Sequence, residues 1–242
     1  MKILVTNDDG IDAEGIRALA EFTKSLGDVT VIAPKSEQSG MSQAIQFVRP
    51  MEIVLRDTGM GIPSYSVDST PADCVRFGLD GLKDDFDLVL SGINRGVNLG
   101  ADIVYSGTVG AILEAGRHGV PAIALSTYPD TLAEAVKELT TVFEFIEKNS
   151  LLSVNPLYNV NIPPKPKGIR ITRQGSPYFS DEFIRLSETS YQQTGSILKD
   201  RSPSDTTLDT VSVGDGYISI TPIATTRTSL SAFNSLSHLS DK

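Results

Sequence analysis

The chain has 242 residues, of which 40% are hydrophobic and 21% charged, with a formal net charge of -9 at pH 7. This composition is typical of a globular protein of one large or two small domains, and its acidity argues against duplex nucleic acid as a partner. Cys74 is the only cysteine, which excludes an internal disulfide and a cysteine-based zinc cluster, and the lack of a leader-like or membrane-spanning apolar run predicts a cytoplasmic protein without a membrane partner.

The first strand and the turn that ends it carry the clearest chemical signal. A short apolar run at residues 3–5 predicts a strand buried on both faces, and an Asn-Asp-Asp-Gly turn follows at residues 7–10. Asp8 and Asp9 therefore lie at the carboxyl end of a strand, where ligands bind in open α/β sheets. Adjacent carboxylates repel each other unless a cation intervenes, and oxygen ligands suit Mg²⁺, Mn²⁺ or Ca²⁺. A solvated turn that caps a helix is the alternative this stretch leaves open.

The second strand and the polar loop after it reach the same edge of the sheet. Residues 29–34 read as a strand parallel to the first, because a helical segment separates the two. The loop that follows is either a plain connection or brings Ser39 or Ser42 to the site. Short alternating runs within residues 45–68 predict antiparallel strands beside the main sheet, including residues 46–48.

A third strand, at residues 86–91, runs into a glycine-rich loop at residues 92–100. The loop matches neither G-x-G-x-x-G nor the P-loop, so the sequence predicts neither NAD binding nor a Walker ATPase. It places Asn94 and Asn98 at the ligand edge. The Ser-Gly-Thr at residues 106–108 opens a helix of small residues, and its hydroxyl and amide groups suit an anion. A well-capped helix that packs closely on the sheet is the alternative.

The rest of the chain completes an α/β pattern and then changes character. Residues 120–126 and 158–162 read as strands, and residues 132–148 as an amphipathic helix, which predicts a doubly wound sheet. Beyond about residue 175 the sequence is polar, with one clear strand at residues 216–222. We therefore expect a core of residues 1–175 and an extension, residues 176–242, that packs on the core or on another subunit.

Several motifs, taken together and in order, resemble the SurE family, the stationary-phase survival proteins. They are residues 7–10, 39–40, 69–74, 91–98, 105–110, 159–163 and 219–222, and the likeness runs to about residue 227. The chain departs from common family patterns at residue 69, where many members have glycine, and near residues 206–207 and 226–228.

The resemblance implies a Rossmann-like fold, with a mostly parallel sheet flanked by helices and a β-rich C-terminal extension used in oligomerisation. It implies a metal-dependent hydrolase of nucleoside 5′- and 3′-monophosphates, with short polyphosphate open as a further substrate. The implied assembly is a homodimer or homotetramer with exchanged C-terminal segments. One divalent cation per subunit, Mg²⁺ or Mn²⁺, falls on Asp8, Asp9, Ser39 and Asn94, and the phosphate contacts fall on Asn98, Ser106, Gly107 and Thr108.

Our hypothesis for the mechanism makes Asp8 and Asp9 the catalytic residues. The cation that they bind lowers the pKa of a water molecule and neutralises charge on the phosphate. Attack by one of the two carboxylates is the alternative, although a metal-bound carboxylate is the poorer nucleophile. Two other functions remain open: a nucleotide sensor without turnover, and a metal-dependent hydrolase of another ester.

Overall fold

The structure, a computed structural model, describes residues 1–198, 202 and 204–239. Its first part consists of β1 (Lys2–Thr6), α1 (Glu14–Thr23), β2 (Asp28–Pro34), β3 (Ile53–Arg56), β4 (Ser64–Val67), α2 (Pro71–Arg76), a π-helical turn (Phe77–Gly81), β5 (Leu88–Arg95), a 3₁₀ helix (Gly100–Tyr105), α3 (Gly107–Arg117), β6 (Ala122–Thr127), α4 (Leu132–Lys148), α5 (Leu151–Val154) and β7 (Leu157–Ile162). The remainder consists of β8 (Ile169–Ile171), β9 (Glu182–Arg185), β10 (Tyr191–Thr194), α6 (Asp209–Gly214), β11 (Ile218–Pro222), α7 (Leu230–Leu236) and a 3₁₀ turn (Ser237–Leu239).

Nine of the described strands form one sheet in the order β3-β4-β2-β1-β5-β6-β7-β11-β8. The six from β4 to β7 in that order are parallel, β3 runs antiparallel to β4, and β11 runs antiparallel to β7. The chain proceeds outward from β1 through β2 and then from β5 through β6 and β7. The order therefore reverses between β1 and β5, and the predicted Rossmann-like, mostly parallel sheet is confirmed.

Helices cover both faces of the sheet, and the central strand β1 is buried on both. Because successive side chains of a strand point to opposite faces, Ile3 and Val5 pack in the core that includes residues of α1 and α4. Leu4 packs instead in the core that includes residues of α2 and α3. This arrangement explains why the strand is a continuous apolar run with no alternation.

Two predictions about strands are wrong in detail. Residues 46–48 are irregular, and the antiparallel pair in that region is β3 with β4, which also pairs in parallel with β2. The third strand does not end at residue 91 but continues to Arg95, with a shift in its pairing to β6 between Ser91 and Asn94. Asn94 therefore lies on a strand, which holds it more firmly than a free loop would.

The C-terminal part of the chain returns to the main sheet. β11 lies between β7 and β8, and its Ile218 and Ile220 belong to the large core, whereas β9 and β10 pair with each other in a separate hairpin. The domain boundary at residue 175 stays a prediction, and residues 199–201, 203 and 240–242 of the predicted extension lie outside the described residues. Among the described helices, none combines the length and apolarity that a membrane crossing requires.

Gly15 allows α1 to lie directly on β5, since a Cβ atom there would be 2.0 Å from the carbonyl oxygen of Ile93. We expect Gly15→Ala to lower the free energy of unfolding by about 1–3 kcal/mol, the usual cost of overpacking, although alanine is the better helix former. Urea denaturation measures the change. Gly214→Ala is the matched control, because nothing lies within 4 Å of the position of its Cβ atom. Equal changes in the two variants would contradict this account.

Candidate active site

The functional residues predicted from the sequence converge beside the point where the strand order reverses. Asp8 and Asp9 follow β1, Ser39 follows β2, and Asn94 lies near the end of β5. These strands are neighbours and parallel, so their carboxyl ends meet at one edge. A cavity of about 350 Å³ at this edge is lined by six of the eight predicted residues: Asp8, Asp9, Ser39, Asn94, Asn98 and Ser106. The other two, Gly107 and Thr108, are buried at the start of α3.

The turn after β1 is closed by its own side chain, which fixes the two carboxylates. Asn7 is fully buried, its Nδ2 donates to the Gly10 carbonyl oxygen at 2.9 Å, and the Gly10 amide donates back to its Oδ1 at 3.2 Å. Gly10 has a φ of +101°, which residues with a side chain rarely adopt. Asn7 and Gly10 are therefore required by the backbone of the turn that carries the two carboxylates.

Asp8 is buried against the first residues of α3. Its Oδ1 accepts a hydrogen bond from Thr108 Oγ1 at 2.6 Å, and its Oδ2 accepts one from the Thr108 amide at 3.2 Å. Burial raises the pKa of Asp8 to about 6, although the Thr108 hydroxyl counteracts it. A Cβ atom on Gly107 would lie 3.0 Å from Asp8 Oδ2, so glycine permits this close approach.

Asp9, Ser39 and Asn94 add further oxygen atoms to the cavity that Asp8 lines. Burial also raises the pKa of Asp9, whose Oδ2 lies 3.4 Å from the Arg95 amide nitrogen. Ser39 Oγ donates to Glu37 at 2.7 Å, and Asn94 Nδ2 donates to the Gly96 carbonyl oxygen at 2.7 Å. Asn94 Oδ1 and the Ser39 lone pairs are thus left for another ligand.

This donor set fits a hard divalent cation. It combines two carboxylates, a hydroxyl and an amide oxygen, the ligand types that Mg²⁺ and Mn²⁺ favour. The raised pKa values of Asp8 and Asp9 point the same way, because both carboxylates are held in surroundings that disfavour their charged forms. A bound cation would reverse that preference.

The predicted phosphate-binding residues divide into two groups by their contacts. Ser106 caps α3, because its Oγ accepts from the Val109 amide at 3.1 Å, and this leaves its hydroxyl proton available to a ligand in the cavity. Asn98 lines the cavity as well. Thr108 instead donates its hydroxyl proton to Asp8, so the contact in the structure is with the carboxylate. A direct phosphate contact of Thr108 stays a prediction.

The role of the residues that hold Asn98 was not predicted from the sequence. Asn98 Nδ2 donates to Ser126 Oγ at 2.8 Å, and the Asn98 carbonyl oxygen accepts from Nδ2 of both Asn159 and Asn161, each at 2.8 Å. Asn159 and Asn161 are fully buried in β7. Amides within an otherwise apolar buried strand were the available signal, since buried polar groups need partners.

The loop that carries Ser39 is tied to α3 by a second buried carboxylate, Glu114, whose role was likewise not predicted from the sequence. Its Oε2 accepts from Gln43 Nε2 at 2.8 Å, and its Oε1 pairs with Arg76 at 3.2 Å and with Arg117 at 2.8 Å. Burial alone would raise the pKa of Glu114, but these partners outweigh it and lower the pKa. The charge is therefore kept, and the loop stays fastened at Gln43.

Comparisons with known proteins find relatives that match most of the chain. A family model described as Survival protein SurE matches residues 3–181. The 5′-nucleotidase SurE of Thermosipho melanesiensis is 40% identical over 238 residues, which cover 93% of this chain and 91% of that protein. The 5′-nucleotidase SurE of Acinetobacter baumannii is 41% identical, over 92% of this chain and 93% of that protein. The crystal structure of the SurE protein from Aquifex aeolicus matches with a TM-score of 0.83 and 33% identity, over 100% of both chains.

The raised pKa of Asp8 predicts how the stability of chelator-treated protein depends on pH. Its folded-state pKa of about 6 exceeds the ordinary value of 3.8, so the folded state binds the Asp8 proton more tightly than the unfolded state does. This proton stabilises the fold fully below about pH 3.8, and its contribution is lost as the pH rises through 6. The full difference corresponds to about 3 kcal/mol, of which about 2 kcal/mol disappears between pH 4.5 and 7.5. Asparagine does not titrate, so we expect the free energy of unfolding of Asp8→Asn, relative to that of the wild type, to rise by about 2 kcal/mol from pH 4.5 to pH 7.5 in urea denaturation.

The control for this experiment is Asp28→Asn, which removes an exposed carboxylate at the start of β2, the end of that strand remote from the site. Its stability should follow the wild type at both pH values. Added Mg²⁺ should stabilise the wild type at pH 7.5 and leave Asp8→Asn unchanged. Parallel stability curves for wild type and Asp8→Asn in chelator would show that the Asp8 carboxylate is not held in unfavourable surroundings.

Proposed function

The chain belongs to the SurE family of survival proteins, and from that premise we propose that it is a divalent-metal-dependent phosphomonoesterase. Its substrates in this proposal are nucleoside 5′-monophosphates, with 3′-monophosphates and short polyphosphate as further substrates. The observation that carries the proposal is the single cavity in which Asp8 and Asp9 meet Asn98 and the Ser106 hydroxyl. Relatives that cover nearly the whole chain carry the name 5′-nucleotidase, which supports the choice of substrate.

One divalent cation per subunit, Mg²⁺ or Mn²⁺, would be held by the carboxylates of Asp8 and Asp9 with Ser39 Oγ and Asn94 Oδ1. Charge supports this, because Glu37, Asp102 and Asp181 also line the cavity, against Arg95 as its one cationic lining residue among those described. An anionic substrate would be repelled from such a cavity without a cation. When bound, the cation supplies a water of lowered pKa and neutralises charge on the phosphate.

In this proposal the residues of the chain hold the phosphate and disfavour attack by a carboxylate. The Ser106 hydroxyl and the second amide proton of Asn98 donate to phosphate oxygens, and the positive end of the α3 dipole lies on the same side. Thr108 donates hydrogen bonds to both oxygens of Asp8, which makes Asp8 a weaker nucleophile. This contact favours attack by water over attack by Asp8.

The proposed assembly is a homodimer or homotetramer in which C-terminal segments exchange between subunits, and the proposed location is the cytoplasm. Exposed apolar side chains support the assembly. Leu230, Phe233 and Leu236 recur on one side of α7, each more than half exposed, and α7 has no buried residue. Phe183 and Ile184 on the β9–β10 hairpin are exposed as well. Such side chains are typical of surfaces that bind another subunit.

Asp9→Asn tests the proposed activity. Phosphate release from AMP is measured with Mg²⁺ and with Mn²⁺ after chelator treatment, for wild type, Asp9→Asn and the control Asp28→Asn. We expect metal-dependent release from the wild type and the control, and a loss of at least about 100-fold in Asp9→Asn, because one of two carboxylate ligands becomes neutral. Circular dichroism confirms that the fold is kept.

The outcomes of this assay separate the alternatives. Turnover in Asp9→Asn at the wild-type rate and metal dependence would overturn the metal assignment. Tight binding of AMP to the wild type with no phosphate release under any metal would identify a nucleotide sensor. Release from simple phosphate esters but not from AMP would identify a different hydrolase.

The proposed assembly is tested on α7. The double variant Leu230→Ser and Phe233→Ser should form a smaller oligomer than the wild type, because two exposed apolar contacts are lost. Ser231→Ala combined with Ser235→Ala is the matched control on the same helix and should keep the wild-type oligomer. Light scattering measures the mass of each protein. An unchanged mass in the apolar variant would rule out α7 as part of the interface.

A further inference from the structure

Two aromatic rings outside the proposed metal and phosphate sites line the same cavity. Tyr105 is 62% exposed and Phe179 is 45% exposed, and both border the cavity that holds Asp8 and Asp9. Exposed aromatic rings beside a phosphate site are suited to stack on a base, because every base offers a π-face. We propose that Tyr105 and Phe179 bind the base of a nucleoside monophosphate; this inference rests on the proposed function and extends it.

Phe179 is held in place by its backbone. Asp102 Oδ2 accepts hydrogen bonds from the amides of Tyr178 at 2.7 Å and Phe179 at 2.8 Å. The ring of Tyr178 is buried in a small core with Leu99 and Val213, and it meets the Phe179 ring edge to face at 5.0 Å. The Phe179 ring is therefore supported on one side while its exposed surface borders the cavity.

Tyr105 is held by the element that also carries Asp102. Both residues belong to the 3₁₀ helix Gly100–Tyr105, and the Tyr105 carbonyl oxygen accepts from the Ser42 amide at 3.0 Å. The next residue is Ser106, the proposed phosphate donor. One rigid segment thus sets a ring and a phosphate contact side by side and, through Asp102, fixes the second ring.

The size and lining of the cavity agree with a whole nucleotide. A volume of about 350 Å³ lies in the range of pockets that enclose complete small molecules, and it exceeds what a phosphate group alone requires. Val97 and Leu99 add apolar surface to the lining. Stacking recognises the face of a base and not its hydrogen-bonding edge. The site should therefore accept all four bases, with purines bound more tightly because their rings are larger.

The test compares AMP with ribose 5-phosphate, which has the same sugar and phosphate but no base. We expect Phe179→Ala and Tyr105→Ala each to lower kcat/KM for AMP by about 5- to 150-fold, the equivalent of one stacked base. The kcat/KM for ribose 5-phosphate should change less than about 2-fold. Phe179→Tyr and Tyr105→Phe each keep an aromatic ring and should therefore keep the wild-type preference for AMP over ribose 5-phosphate. Phe47→Ala is the control, since Phe47 is 87% exposed and does not line the cavity.

Asp102→Ala tests the positioning of Phe179. It should reduce the ratio of the two kcat/KM values as Phe179→Ala does, through KM for AMP more than through kcat, because Asp102 acts on the ring and not on the phosphate. Its loss of negative charge affects both substrates and cancels in the ratio. An unchanged ratio would overturn the positioning role of Asp102.

Other outcomes decide the inference separately from the proposed function. Equal losses for AMP and ribose 5-phosphate in the alanine variants would show that the rings only maintain the shape of the cavity, and unchanged kinetics for both would show that they do not touch the base. If the wild type hydrolyses neither compound, the phosphatase proposal fails. Calorimetry of AMP binding then decides the inference: weaker binding to Phe179→Ala than to the wild type supports it, and equal binding overturns it.

Discussion

The contact between Asp8 and the start of α3 is the interaction on which the rest of the site depends. Thr108 donates its hydroxyl and its amide to the two oxygens of Asp8, and Gly107 allows the carboxylate to approach. Asp8 also contacts the loop after β2, since its backbone carbonyl oxygen accepts a hydrogen bond from the Gln38 amide at 2.7 Å. The end of β1, the start of α3 and the loop after β2 are thus joined at one residue, Asp8: its carboxylate contacts α3 and its backbone carbonyl contacts the loop.

This contact makes the site rigid at a cost in stability. A buried carboxylate with a raised pKa opposes folding at neutral pH unless a cation shares its surroundings. Other hydrogen bonds hold the neighbouring parts of the site in place. Glu114 accepts one from Gln43 in the loop after β2, and Asn159 and Asn161 each donate one to the backbone carbonyl of Asn98. Glu114, Asn159 and Asn161 do not themselves border the cavity. They hold Asn98 and the loop that carries Ser39, both of which line the cavity, and such supporting contacts give a site a fixed geometry.

The sequence predicted the alternating strands and helices, because buried parallel strands are short apolar runs and amphipathic helices repeat every three to four residues. It also predicted which side chains share the sheet edge, since strand ends converge there. It did not predict the continuation of β5 to Arg95 or the irregular course of residues 46–48, because tertiary contacts override local preference. The hydrogen bonds of Thr108, Glu114 and Asn161 were not predicted, because their partners Asp8, Gln43 and Asn98 lie far away in the sequence and become neighbours only in the folded protein.

The distribution of charge gives the last constraint on how the cavity works. Carboxylates of Asp8, Asp9 and Glu37 line it, and the whole chain carries a net charge of -9. Such a field attracts a divalent cation and repels a free phosphate ester. In the proposed reaction, cation binding therefore strengthens phosphate binding, and by reciprocity phosphate binding strengthens cation binding. The side chains of Tyr105 and Phe179, which we propose stack on the base, are uncharged and are not subject to this coupling. The base would thus contribute affinity that does not depend on the metal, whereas binding of the phosphate would require the metal.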